Sequence, residues 1–179
     1  MDSLLNLLPL IGPEKTLVID STNYWLNTYR YLKKDILIYY PQRGIIQADN
    51  LIQQQQLQYY LEHEKCRQLI FIGSMNRSVI DKILLDDSPE SPKAALKFNL
   101  STLLREQHSA ILPLPLSERF LIELNVVTQC KLLMDYYFIR RRIDNKELQL
   151  RGIVAERKGE QFKPVFYNGI LYNDLISLN

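Results

Sequence analysis

At 179 residues the chain is long enough to bury one sizeable core without disulfides or metals as staples. Its 22 basic and 20 acidic residues leave a formal charge of +2, a balance that argues against nucleic acid or a membrane surface as partner. A 46% hydrophobic and 23% charged composition is that of an ordinary globular protein, and no apolar run approaches the roughly 20 residues that span a bilayer.

The first 15 residues, MDSLLNLLPLIGPEK, are apolar but carry Asp2 where a secretion signal carries positive charge, and Asn6 and Pro9 interrupt the run. They are read as an N-terminal arm or helix packing on the domain. Thr16 to Asp20 (TLVID) is a buried strand that opens into the polar cluster Ser21-Thr22-Asn23. Tyr24 to Lys34 reads as a helix, and Asp35 to Tyr40 as a second strand stopped by Pro41. Asp49 is placed to cap a helix reaching Glu64, with Leu51, Ile52, Leu57, Tyr60 and Leu61 on one face. Gln68 to Ile72 is a third buried strand, ended by Gly73.

Arg77 to Leu85 continues as a helix, 86–93 is a loop by composition, and Ala94 to Gln107 is helical. Pro113 and Pro115 break the chain, after which Ser117 caps one long helix running to about Asn145. Leu148 to Ala155 is a fourth strand, and a turn at Lys158-Gly159-Glu160 leads into a last extended piece, Phe162 to Tyr167, which that turn makes antiparallel. The alternation of strands and helices predicts an α/β fold, a central mostly parallel sheet flanked by helices with a final antiparallel edge strand, as one domain over 16–179.

In open parallel sheets functional groups collect at the carboxyl ends of strands. Those ends here are Val18-Ile19-Asp20-Ser21-Thr22 and Gly73-Ser74-Met75-Asn76-Arg77. This arrangement resembles the β-class carbonic anhydrases, which carry Cys-x-Asp-x-Arg after the first strand and Gly-His-x-x-Cys after the third. KKDILIYY is similar to the family's second strand, and QYYLEHEKCRQLIFIG to the segment leading into its third. Glu123-Leu124-Asn125-Val126 with Gln129 is similar to the helix motif E-x-N-V-x-x-Q, and LQLRGIVAERKGE to the strand and turn that follow.

The resemblance implies a site, and the residues then imply that it is degenerate. With Asp20 on the family's aspartate, Val18 falls on the first zinc cysteine, Ser74 on the zinc histidine and Arg77 on the second cysteine. Valine offers no donor, arginine is a cation, and serine is a poor zinc ligand. Thr22 replaces the arginine that orients the aspartate. The expectation is therefore no metal and no cofactor, a pocket of Val18, Asp20, Thr22, Ser74 and Arg77 without a confident catalytic group, and an ion pair between Arg77 and Asp20 across the vacated cavity. The alternative is that Ser74, Asn76 and Arg77 at a helix start hold a small anion such as bicarbonate or phosphate, or that Asp20 and Arg77 serve a metal-independent enzyme.

Other candidate groups read as structural. His63-x-x-Cys66 precedes the third strand, and only His108 and Cys130 could complete a zinc set with it. The basic stretch Arg140-Arg141-Arg142, Lys146, Arg151, Arg157, Lys158 is interleaved with acids and reads as a solvated helix end. Two cysteines without a framework point to a reducing, intracellular compartment. The function expected from the whole is a zinc-free pseudoenzyme acting through protein contacts, in a homodimer or a larger assembly; the last alternative is an active zinc carbonic anhydrase with atypical ligands.

Overall fold

The computed structural model describes residues 11–21, 35–41, 44–47, 50–74, 118–156 and 161–172. Its elements in chain order are β1 (Thr16–Asp20), β2 (Ile36–Tyr39), α1 (Leu51–Glu62), β3 (Gln68–Ser74), α2 (Glu118–Asp135), α3 (Tyr137–Asp144), β4 (Gln149–Glu156), β5 (Gln161–Tyr167) and β6 (Ile170–Leu171). One six-stranded sheet holds them in the order β2-β1-β3-β4-β5-β6. The first four strands are parallel, and β5 and β6 are antiparallel to their neighbours. The expected architecture is thus present, with the short β6 rather than β5 as its antiparallel edge.

The alternation of each strand splits the core in two. Leu17, Ile19, Leu69, Phe71 and Leu150 face the larger cluster, to which α1, α2 and α3 contribute Leu57, Leu61, Val126, Cys130, Leu133 and Ile139. Val18, Ile70, Ile72, Ile153 and Ala155 face the opposite side. Gly73 does not end β3; it pairs with Val154 inside the ladder. Its missing side chain serves packing, because a Cβ there would collide with Val126 of α2. Gly152 does the same on β4, where a Cβ would lie 2.8 Å from the Cys130 sulfur. Two glycines therefore let α2 settle close onto the sheet.

Three expectations about the helices are corrected. Asn50 caps α1, its side chain accepting from Gln53 N at 3.0 Å. The inward row of α1 is Gln53, Leu57 and Leu61, whereas Leu51 and Ile52 are 70% and 69% exposed. The predicted single helix to Asn145 is two helices, broken at Tyr136, whose backbone is extended (φ −71°, ψ 114°). That break turns the Tyr136 ring inward, to 5% exposure, and brings its hydroxyl to the backbone of Gln47. The sequence stretches expected as helices over 24–34, 77–85 and 94–107, and residues 1–10 of the expected N-terminal arm, lie outside the described residues, as does Ser117.

Candidate functional site

The parallel strands place Asp20 and Ser21 at the carboxyl end of β1, beside Ile72 to Ser74 of β3. Asp20 is 1% exposed. Ser21 continues the ladder by donating from its N–H and its hydroxyl to the Ile72 carbonyl, at 3.2 and 2.9 Å. The loop after β2 crosses over this end. Gly44, at φ +74°, runs so close that a Cβ on it would stand 2.5 Å from the Ser21 carbonyl oxygen, so both its conformation and its contact call for glycine.

Side chains from the helices fix that loop. Gln129 of α2 accepts from Ile46 N at 2.6 Å. Gln53 of α1 accepts from Gln47 N at 2.8 Å and donates to the Ile45 carbonyl at 3.2 Å. Tyr136 donates to the Gln47 carbonyl at 2.8 Å. Three successive residues of loop are thus held by buried amides and a phenol, which supply the hydrogen bonds that a buried loop cannot get from water. One helical turn before Gln129, Asn125 is 3% exposed and its Oδ1 accepts no hydrogen bond.

Glu123 adds a charged node at the same end of α2. Its carboxylate, 5% exposed, accepts from Arg119 Nε at 3.0 Å and from Lys163 Nζ at 3.1 Å. Lys163 belongs to β5, opposite Val154. The motif that supplied Glu123, Asn125 and Gln129 was visible in the sequence, but its structural use was not. Lys163 carried no signal beyond its place in a half-buried strand, and Gln53 lay hidden in a run of four glutamines.

The remaining candidates fall apart in space. Val18 is fully buried in the apolar cluster with Ile70 and Ile72. It pairs with Ile70, so the level of Ser74 lies four residues farther along the sheet, about 13 Å. Donors that bind zinc at 2.0–2.3 Å cannot share one ion across that gap, so Val18 and Ser74 do not line a common metal pocket. Asp20, opposite Ile72, is only two residues from that level. Thr22, Asn76, Arg77 and His108 lie outside the described residues, so the pairing of Arg77 with Asp20 does as well.

His63 ends α1 and stacks on Tyr59 with ring centres 4.9 Å apart. Cys66 is wholly buried just before β3, at the end of the sheet opposite Ser74, and burial pushes its thiol up to about 11. Cys130 is buried against Gly152, and desolvation raises its thiol also. Among the described residues, no three His, Cys, Asp or Glu side chains gather as metal ligands. The basic stretch has local uses. Arg142 donates to the Leu61 and Cys66 carbonyls at 2.5 and 3.1 Å, tying α3 to the end of α1. Arg141 and Arg151 lie over the rings of Tyr137 and Tyr167.

No protein-family model matches the chain, and no curated protein sequence matches it. Solved structures do. The β-carbonic anhydrase CafD of Aspergillus fumigatus aligns with a TM-score of 0.63 at 17% identity, over 87% of this chain and 92% of its own. A tetrameric β-carbonic anhydrase of Sordaria macrospora gives 0.60 at 17% identity, over 88% and 84%. The Coccomyxa β-carbonic anhydrase, solved with acetazolamide, gives 0.60 at 16%, over 92% and 80%. The chain has the β-carbonic anhydrase fold. The motif resemblances and the sheet order point the same way, and identities this low carry the fold alone. No helix among the described residues is long and apolar enough to cross a membrane.

Proposed function

We propose that this chain is a β-carbonic-anhydrase-like protein without catalytic zinc, which acts through protein contacts in a homodimer or a larger assembly. The strand register carries the reading. It favours shifting the family's motif by two residues, so that the first zinc ligand falls on Asp20, two residues from the level of Ser74, and not on Val18, four residues from it. In that frame the family's aspartate falls on Thr22. Ser74 and Arg77 remain at the positions of the zinc histidine and the second cysteine.

Either frame leaves too few donors. Zinc sites of this class use three protein ligands drawn from thiolate, imidazole or carboxylate. At the carboxyl ends of β1 and β3, 18–22 and 73–77, Asp20 is the one such group, Ser74 is a neutral hydroxyl residue, and Arg77 is a permanent cation. The residues present therefore do not fit the ion, and no step of a hydration mechanism follows from them. A buried carboxylate at Asp20 needs compensation. In this reading Arg77 provides it, occupying by charge the place that a metal would take.

The test is enzymatic. Purified protein, given zinc during expression and assayed by stopped flow, should hydrate carbon dioxide no faster than buffer. A zinc-dependent rate that a chelator removes would overturn the reading.

A further inference from the structure

The break at Tyr136 gives α3 two faces of different character. Its inward residues are anchored. Ile139 is fully buried, Tyr136 donates to the Gln47 carbonyl, and Arg142 donates to the Leu61 and Cys66 carbonyls. These attachments, spread along a short helix, fix its position. The outward face carries Tyr137, Arg140, Arg141 and Asp144, all exposed. At 75%, Tyr137 is the most exposed large apolar side chain among the described residues.

The arginines of that face differ from other cations of the molecule. Arg119 and Lys163 share Glu123, and Lys15 pairs with Glu64. Arg140 and Arg141 form no ion pair with a described residue, although Asp144 stands one turn from both. Arg141 lies instead over the Tyr137 ring, 5.9 Å from its centre. Such stacking uses the face of a guanidinium and leaves its N–H edge for an acceptor.

We infer that this face of α3 docks an acidic segment of another protein, with carboxylates on Arg140 and Arg141 and an apolar neighbour on Tyr137. The arginine fork matches a carboxylate with two parallel hydrogen bonds. Arginine and tyrosine are also the residues that most often anchor protein interfaces. A helix already fixed in place loses little freedom when it binds. Charge complementarity sets the size of the partner. The exposed acids Asp135, Asp144 and Glu147 flank the two arginines, so the positive patch is short. A nucleic acid needs a run of cations along its phosphates, and those acids would repel it. A short acidic segment needs only the two arginines.

The inference rests on the protein-contact part of the proposed function and names the chemistry of the partner. The experiment is nitrogen-15 NMR on the full chain, titrated with the peptide acetyl-Glu-Glu-Leu-Glu-Glu-amide. The glutamine version of that peptide and a thymine oligonucleotide serve as comparisons. Saturable shifts of the Tyr137, Arg140 and Arg141 signals are expected with the glutamate peptide alone. Arg140→Gln combined with Arg141→Gln should weaken that binding about tenfold. Lys65→Gln combined with Arg67→Gln removes as much charge from the exposed turn before β3 and should change it by less than about twofold. If the peptide moves no α3 signal at millimolar concentration, or if the control weakens binding as much as the α3 variant, the surface is overturned. If the oligonucleotide moves the same signals at lower concentration, the partner is a nucleic acid and the inference falls. None of these results touches the zinc reading, which the stopped-flow assay decides separately.

Discussion

Two polar regions meet the carboxyl end of this sheet, and they are built differently. On the α2 side every group but one has its partner: Gln129 and Gln53 hold the loop over 45–47, and Glu123 is clamped between Arg119 and Lys163. At the β1 and β3 ends, the buried carboxylate among the described residues is Asp20, 1% exposed. The contrast separates two jobs that one fold can do. The seam on α2 keeps the loop and helix in place whatever the pocket holds. The strand ends serve chemistry only when the right donors sit on them.

The seam should therefore be costly to break and the strand ends cheap to rebuild. The largest effect is expected from Lys163→Met, which keeps the aliphatic stem but leaves the Glu123 carboxylate dependent on the half-exposed Arg119. Removing one partner of a buried pair costs about 3 kcal/mol, visible as a lower urea midpoint at an unchanged slope. Glu123→Gln in the same background should recover part of it. Next is Gln129→Leu, which strands the Ile46 N–H in the interior at a cost of about 2 kcal/mol. Tyr136→Phe loses one hydrogen bond to the Gln47 carbonyl and should cost about 1 kcal/mol by the same measurement.

Much of this was legible beforehand. The apolar strand runs TLVID and QLIFI, the Pro41 stop and the KGE turn were enough to order the sheet as mostly parallel with an antiparallel end. What escaped were features decided by tertiary contact. Ile52 has the chemistry of a core residue, but the helix phase set by Gln53, Leu57 and Leu61 turns it out. Gly73 looks like a strand end because glycine usually is one, yet here it makes room for Val126. Tyr136 sits in a continuous helical pattern, and the reason for the break is a loop 89 positions away in the chain. The level of Asp20 against Ser74 depends on strand register, which linear spacing does not determine.

A further expected effect concerns pH, and it sharpens the claim that the two thiols belong to the core. The Cys66 thiol is raised from an ordinary value near 9.0 to about 11 by burial, and that of Cys130 moves in the same direction. Above pH about 9 the unfolded chain sheds these protons and the folded chain keeps them, so stability should fall as pH rises from 9 toward 11. Melting curves across that window should slope downward, with a shallower slope in Cys66→Ala. At pH 8 a thiol reagent should label neither cysteine until the protein is unfolded.

The most direct measurement is zinc per chain, determined by elemental analysis, in wild type and in two triple variants. One carries Asp20→Cys, Ser74→His and Arg77→Cys; the other carries Val18→Cys with the same two changes. The account predicts far less than one zinc in wild type and in the Val18 variant, and one zinc in the Asp20 variant. One tightly held zinc in the wild-type chain would contradict it.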